Sequence, residues 1–101
     1  MKVKFGESGD TAFVNLTGNL DLNTSDELRQ ELRSLIDTTK AKHIIIDVSG
    51  VGQVDSTGLS IIVEALRKSR DKQIDLALTG IQGSLKDVLN RTKLDTFVMI
   101  K

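Results

Sequence analysis

The segment His43–Leu59, "HIIIDVSGVGQVDSTGL", carries most of the information about the fold. It opens with "HIIIDV", a short, β-branched and continuously apolar run that is typical of a central strand buried on both faces of a sheet. A stretch rich in glycine and hydroxyl residues follows, and from Thr57 the apolar residues recur at helical spacing. The segment therefore predicts a central strand, a loop and a helix, in that order.

The predicted helix carries its apolar residues on a single stripe. They are Leu59, Ile62, Val63 and Leu66. The stripe runs out into the charged sequence "RKSRDK" (67–72), and basic residues near the end of a helix interact favourably with its negative pole. This pattern indicates an amphipathic helix with one face on a core and one face in solvent.

The sequence before the central strand predicts a hairpin. "KVKF" (2–5) and "TAFVNLT" (11–17) alternate apolar and polar residues at the period of a strand, and the turn cluster "ESGD" (7–10) separates them.

A helix is predicted between the hairpin and the central strand. Thr24, followed three residues later by Glu27, fits a capping box at a helix start. The helix should end near Thr38. Its apolar stripe, which must cover a sheet, consists of Leu28, Leu32, Leu35 and Ile36.

Three further elements complete the chain. "IDLAL" (74–78) alternates as a strand, "GSLKDVLNRT" (83–92) predicts a short helix with Ser84 as a candidate N-cap, and "FVMI" (97–100) predicts a closing strand. The inward residues of the short helix are Leu85, Val88 and Leu89.

The predicted order is therefore β-β-α-β-α-β-α-β. Strands that alternate with helices pair in parallel through right-handed crossovers, and the initial hairpin adds one antiparallel pair. We expect a single α/β domain over residues 1–101, with a mixed, mostly parallel sheet. The chain has no proline, and no repeat, low-complexity segment or linker marks a domain boundary.

Composition excludes several classes of function. The 101 residues are 39% apolar and 28% charged, which predicts a soluble globular domain. Fourteen basic and fourteen acidic residues leave no net charge to attract nucleic acid or anionic lipid. No apolar run approaches the roughly 20 residues of a membrane span, and no signal peptide is present, so we expect a cytoplasmic protein without membrane insertion. The chain has no cysteine and one histidine, His43, so neither a metal site nor a cofactor is expected.

Functional groups of parallel α/β sheets gather beyond the carboxyl ends of the strands. Two loops meet that condition here. The second strand leads into "GNLDL" (18–22) and the third into "SGVGQVDSTGL" (49–59). Because a crossover joins these strands, both loops should emerge at the same edge of the sheet, and Asp21 and Ser56 should be neighbours in space.

The segment "VDSTGL" (54–59) allows two interpretations from its residues alone. Asp55, Ser56 and Thr57 are all good N-cap types, and Gly58 allows close approach, so the segment can be a capped helix start and nothing more. Alternatively, a serine at a helix N-terminus is exposed in a positive local field, where it can carry a phosphate or lie beside a bound anion.

Two catalytic alternatives lack partners. A nucleophilic Ser56 needs a base within hydrogen-bond reach, and His43 begins the third strand, at the opposite edge. A phospho-acceptor aspartate of the receiver type, at Asp47 or Asp55, needs a magnesium site built from an acidic cluster at the strand ends. The first strand ends in Gly6 and Glu7 without paired aspartates.

Three segments together resemble a known family. "GNLDL", "HIIIDVSGVGQVDSTGL" and "RTKLDTFVMI" (91–100) closely resemble the anti-sigma-factor antagonists, which are single-domain members of the STAS family. The resemblance covers essentially the whole chain, in order and without insertions. It implies that the protein is not an enzyme but a regulatory binding protein and kinase substrate.

The resemblance also implies a partner-switching role. In the family, the unmodified antagonist binds an anti-sigma factor that is also a serine kinase, and so frees a sigma factor. The kinase then phosphorylates the antagonist, which releases it, and a PP2C-type phosphatase resets it. By this resemblance the acceptor is Ser56, with Thr57 as a secondary possibility. Asp21 lies beside the acceptor and helps to dock the kinase, while Asp55, Gly58 and Leu59 match the rest of the motif.

The partner surface is expected to include the exposed side of the second helix. Ile61 lies off the apolar stripe, so it is either an uncovered apolar residue on that surface or covered by a neighbouring loop. Two other functions stay open. The first is a STAS structural subunit of a stress-signalling scaffold or of a lipid-transport ATPase complex. The second is an enzyme or small-ligand binder that uses the helix N-terminus as an anion site.

Overall fold

The computed structural model describes residues 1–92, 99 and 100. These residues form five strands and three helices in the predicted order. The elements are β1 (Lys2–Ser8), β2 (Thr11–Leu20), α1 (Ser25–Thr38), β3 (His43–Val54), α2 (Ser56–Asp71), β4 (Asp75–Thr79), α3 (Gly83–Thr92) and β5 (Met99–Ile100). Phe97 and Val98, which belong to the predicted last strand, lie outside the described residues.

The strands form one sheet in the order β1-β2-β3-β4-β5. The β1–β2 hairpin is antiparallel, and the other three pairs are parallel. This confirms the predicted α/β class, the mixed sheet and the N-terminal hairpin. Because β2 and β3 are parallel, their carboxyl ends lie at one edge, which we call the switch edge.

The core lies on one face of the sheet. All three helices contribute buried side chains to the same cluster as the inward residues of the strands, such as Val14, Ile46 and Leu78. The expectation that β3 is buried on both faces was wrong. Ile45 is only partly buried, and Phe13, which pairs with it, is 41% exposed on the uncovered face. An apolar run in a strand shows that burial is tolerated, but helix packing decides which face is covered.

The second and third strands are longer than their sequences suggested. β3 continues through the glycine-rich stretch to Val54, and β2 continues to Leu20. The extension needs close backbone contact, since a Cβ on Gly50 would lie 2.9 Å from the Leu16 carbonyl oxygen and one on Gly52 2.8 Å from Asn19 Oδ1. These glycines, which were interpreted as loop residues, therefore permit pairing across two register shifts.

Thr24 occupies the N-cap position of α1, as predicted, but its hydroxyl does not cap the helix, and Ser84 is not the N-cap of α3. Thr24 makes no side-chain capping bond to α1; its hydroxyl donates to the Asn19 carbonyl oxygen at 2.8 Å and accepts from the Asp21 N–H at 3.1 Å. α3 begins at Gly83, so Ser84 lies inside its first turn, where its hydroxyl accepts from the Val54 N–H at 3.3 Å. The Thr24 hydroxyl is held by the loop that precedes α1, and the Ser84 hydroxyl by Val54, 30 residues away in sequence.

Helices α1 and α2 pack against each other through an apolar centre with ion pairs around it. Ile61 of α2 is 1% exposed, and it lies against Leu32 and Ile36 of α1. The exposed alternative for Ile61 is therefore wrong, and its cover is a helix rather than a loop. Ile61 is not available to a partner on this surface.

The ion pairs lie along the rim of the α1–α2 contact. Glu64 accepts from Arg29 Nε at 3.1 Å and from Arg33. Partial burial raises the pKa of Glu64. The hydrogen bonds and positive charges of Arg33 and Arg29 lower this pKa by a larger amount, so the net shift is downward. Lys68 and Lys72 both reach Asp37, at 3.0 and 3.4 Å, and the hydrogen bond from Lys68 lowers the pKa of that carboxyl. These pairs hold α2 to α1 along its length.

Candidate functional site

The two predicted loops meet at the switch edge. Leu20 and Val54 are register partners at the ends of β2 and β3, and the Asp55 N–H donates to the Leu20 carbonyl oxygen at 3.2 Å. Asp21 and Asp55 therefore leave neighbouring strands side by side. Ser56 follows directly, and the predicted proximity of the Asp21 and Ser56 segments is confirmed.

Asp55 joins the two segments. One carboxylate oxygen, Oδ1, accepts from the Gly58 N–H at 2.8 Å, which makes Asp55 the N-cap of α2. The other, Oδ2, accepts from the Leu22 N–H at 3.2 Å. Of the three possible capping residues, the structure selects Asp55, because only this side chain satisfies a helix N–H and a loop N–H together.

Ser56 is the first residue of α2, and its side chain is exposed. Its hydroxyl makes no hydrogen bond to the residues that the structure describes. The following residue, Thr57, is half-buried. Since Asp55 performs the capping, no described residue holds the Ser56 hydroxyl, which lies at the positive end of a 16-residue helix.

Gly58 and Leu59 hold the start of α2 on the sheet. A Cβ on Gly58 would lie 2.2 Å from the Leu20 carbonyl oxygen and 2.6 Å from Leu20 Cγ, so only glycine allows this approach. The Leu59 side chain is buried in the core. These two residues of the motif therefore position Ser56 and present almost no surface of their own.

Asp21 shapes the neighbouring loop. Its side-chain Oδ1 accepts from the Asn23 N–H at 2.9 Å, and its carbonyl oxygen accepts from the N–H groups of Thr24 and Ser25 at 3.1 and 2.9 Å. This turn pushes Leu22 outward, where it is 72% exposed. Because Leu22 lies at the same edge as Ser56, its exposed side chain can contribute apolar area to a contact there.

Sequence reasoning missed Leu22. The signal was present in "GNLDL", because Leu22 falls outside both the strand alternation of β2 and the apolar stripe of α1. Such an apolar residue in a polar turn has no core position to fill. We therefore add Leu22 to the candidate site.

A shallow groove of about 480 Å³ runs along the exposed side of α2. Its lining residues are Ser56, Leu59, Ser60, Val63, Glu64 and Arg67. Val63, which was expected on the inward stripe, is only half-buried and forms part of the groove wall. We call this groove, together with Leu22 and Asp21, the switch surface.

The remaining chemistry-bearing residues lie apart from Ser56. His43 begins β3, at the opposite end of that strand, where its Nδ1 lies 3.4 Å from Asp75 Oδ2. Asp47 Oδ1 accepts from the Ser49 N–H at 2.9 Å, and hydrogen bonding from Ser49 lowers the pKa of that carboxyl. Over residues 1–92, 99 and 100, no three His, Cys, Asp or Glu residues are arranged to hold a metal ion. In the same residues, no helix has the length and apolar character needed to cross a membrane.

The bridging role of Asp55 leads to a first prediction. We expect Asp55→Ala to lower the free energy of unfolding by about 1 to 2 kcal/mol, since it removes the cap of α2 and the tether of Leu22. Asp55→Ser can still cap α2 but is too short to reach Leu22 as well, so it should recover about half of the loss. Urea unfolding monitored by circular dichroism measures both variants. Equal stability of Asp55→Ala and the unmodified protein would contradict the bridge.

Known proteins share the sequence pattern of this chain. The family described as "STAS domain" matches residues 2–101. A relative, the anti-sigma-B factor antagonist of Listeria monocytogenes, is 28% identical over 94 residues, which cover 91% of this chain and 82% of the relative.

Solved structures share the fold. An anti-sigma factor antagonist from Mycobacterium paratuberculosis superposes with a TM-score of 0.88 at 19% identity, over 98% of this chain and 83% of the other. The Bacillus cell fate determinant SpoIIAA in its phosphorylated form gives a TM-score of 0.76 at 17% identity, over 99% and 91%. The family match spans nearly all of this chain, and its sheet order and helix positions agree with those folds. The chain belongs to the STAS domain family.

Proposed function

We propose that this protein is an anti-sigma-factor antagonist that is switched by phosphorylation of Ser56. The unmodified form binds an anti-sigma factor with serine kinase activity, and a sigma factor is thereby freed. Phosphorylation of Ser56 ends the contact, and a PP2C-type phosphatase restores it. In this role the protein acts in the cytoplasm as a binding partner and kinase substrate, without catalysis or cofactor of its own.

The free Ser56 hydroxyl is the observation that carries this proposal. It is exposed, it has no hydrogen-bond partner within the described chain, and the cap of α2 is supplied by Asp55 instead. A kinase can therefore engage the hydroxyl without unwinding the helix. The names of the relatives and similar structures support the same role.

The switch surface suits a partner that is sensitive to charge. It combines the exposed Leu22 and the apolar wall of Val63 with the carboxylate of Asp21. Asp55 directly precedes Ser56, whereas Glu64 is already paired with Arg29 and Arg33. A phosphate adds about −1.5 to −2 charges at neutral pH. Asp55, which precedes the acceptor, would oppose a further negative charge, and a partner that closes over Ser56 must remove the phosphate from water.

Thr57 is a weaker acceptor than Ser56. Its side chain is half-buried, and its carbonyl oxygen accepts from the Ser60 hydroxyl at 2.7 Å within the first turns of α2. A half-buried side chain is less accessible to a kinase than the exposed Ser56. We therefore assign Thr57 a secondary role.

The test begins with isolation of the partner. Immobilised unmodified protein captures its binding partners in a pull-down with ATP or ADP present. The captured kinase is then incubated with ATP and one of three substrates, namely unmodified protein, Ser56→Ala or Thr57→Ala. We expect phosphate on Ser56 in the first and third substrates and almost none in the second. Mass mapping of peptides identifies the site.

Two outcomes would count against the proposal. Phosphate on another residue with Ser56 unmodified would remove the assigned acceptor. If the protein instead binds scaffold or transport-ATPase subunits stably, and Ser56 phosphorylation does not change that binding, a structural role for the domain would be favoured.

A further inference from the structure

We propose that two copies of this chain pair through their β1 strands, forming a continuous antiparallel sheet with Phe5 at the two-fold axis. The outer edge of β1 carries the observation. Within the described residues, β1 pairs only with β2, so the backbone N–H and C=O groups on its other side have no strand partner. Such an edge is a template for another strand.

The edge lacks most of the features that block pairing. β1 is seven residues long, its pairing with β2 has no register shift, and the chain contains no proline. Its charged residues are Lys2, Lys4 and Glu7, of which Glu7 lies on the same face as Phe5 and the two lysines do not. Lys2 and Lys4 lie on the uncovered face of the sheet, since their partners Thr17 and Asn15 flank the positions that point into the core.

Phe5 supplies an apolar centre for the contact. It pairs with Val14, so it lies on the helix-covered face, yet it is 49% exposed because β1 is the last strand on that side. A large aromatic side chain left half in water at a strand edge gains from a partner that covers the rest of it.

Two-fold symmetry restricts the register. If the two-fold axis is normal to the sheet, the helix-covered faces of both copies lie on the same side of the joined sheet. Only residues that share a face can therefore lie opposite each other. Centring the axis on Lys4 would place two lysines opposite each other, and centring it on Glu7 would place two glutamates there. Centring it on Phe5 pairs all seven residues of β1 and places no like charges opposite each other. The pairs beside Phe5 are then Lys4 with Gly6, Val3 with Glu7 and Lys2 with Ser8.

The Phe5 register therefore combines the longest pairing with the best charge arrangement. It places the two Phe5 rings face to face across the axis, and cross-strand aromatic pairs stabilise sheets. The net charge of zero adds no overall repulsion between copies. The contact is one strand wide, so we expect a dissociation constant in the micromolar range.

The pairing leaves both switch surfaces open. β1 is separated from β3 by β2, and α2 starts at the end of β3. Because the axis reverses the strand direction, the two Ser56 residues lie at opposite ends of the joined sheet. The dimer would present two independent sites, and its formation does not depend on the proposed phosphorylation.

Sedimentation velocity over about 5 to 500 µM tests the association. Interference optics are required because the chain has no Trp or Tyr. We expect monomer at the low end and dimer at the high end, and Phe5→Lys should weaken association at least about tenfold, since it sets two lysines opposite each other. Phe13→Lys is the matched control, as Phe13 is 41% exposed but lies on the other face of β2. Ser56→Ala should associate as the unmodified protein does.

Cross-linking tests the register separately. The chain has no cysteine, so Phe5→Cys introduces a single thiol that would face its own copy across the axis, within the separation that a disulfide spans. Mild oxidation should convert most of this variant to covalent dimer and little of Phe13→Cys. Monomer over the whole concentration range, a dimer that persists in Phe5→Lys, or equal cross-linking of the two cysteine variants would overturn the proposal.

Discussion

Phosphorylation of Ser56 is expected to weaken partner binding by about two to four orders of magnitude, a net loss of roughly 3 to 5 kcal/mol. The N-terminus of α2 stabilises an exposed phosphate by only about 0.3 to 1 kcal/mol. Removal of an unpaired dianion from water at an interface has an effective penalty of several kcal/mol, and Asp55 adds repulsion. Desolvation and repulsion therefore exceed the attraction.

Titration calorimetry with fully phosphorylated and unmodified protein measures this difference. Ser56→Asp carries about half the charge of the phosphate and should show a smaller loss in the same direction. Ser34→Asp is a suitable control, because Ser34 is exposed on α1 and the same charge is added away from the switch surface. An unchanged dissociation constant for the phosphorylated protein would refute the charge mechanism even if Ser56 is the acceptor.

Among the glycine-to-alanine changes in this chain, Gly58→Ala should have the largest effect on stability. Its Cβ would overlap the Leu20 carbonyl oxygen, a backbone atom that cannot rotate away, so the start of α2 or the end of β2 must shift. Overpacking of this kind costs about 3 kcal/mol, and the helix preference of alanine returns up to about 1. We expect a net loss of about 2 kcal/mol, which lowers Tm by roughly 8 to 16 °C in a domain of this size.

Gly6→Ala provides the control for Gly58→Ala. A Cβ on Gly6 meets nothing within 4 Å, so the same chemical change in β1 should shift Tm by only a few degrees in either direction. Thermal unfolding by circular dichroism measures both variants. A Gly58→Ala protein as stable as Gly6→Ala would show that the contact between α2 and Leu20 is not as tight as described.

The order of elements was predictable because each helix and strand has its own period in the sequence. The apolar stripe of α1 and the alternation of β2 depend on residues a few positions apart. Such patterns can be recognised without knowledge of the rest of the chain. The switch edge followed from one topological rule, namely that a crossover between β2 and β3 makes them parallel.

The caps and the covered surfaces were not predictable in the same way. From the sequence, Asp55, Ser56 and Thr57 were equivalent as caps. The structure distinguishes Asp55 because its carboxylate also binds the N–H of Leu22, which lies 33 residues away in sequence. Ile61 was ambiguous because its cover comes from α1. Gly50 and Gly52 suggested a loop, and only the path of β2 showed that they allow strand pairing.

The sequence by itself determined the fold class, the order of the elements and the motif that contains Ser56, since these depend on local periods and on residue types. Only the tertiary structure decided that Asp55 rather than Ser56 caps α2, that Leu22 is exposed and that Ile61 is buried. The reason is physical: a hydrogen bond or a buried contact is chosen among competing groups by what the fold brings within about 3 to 4 Å.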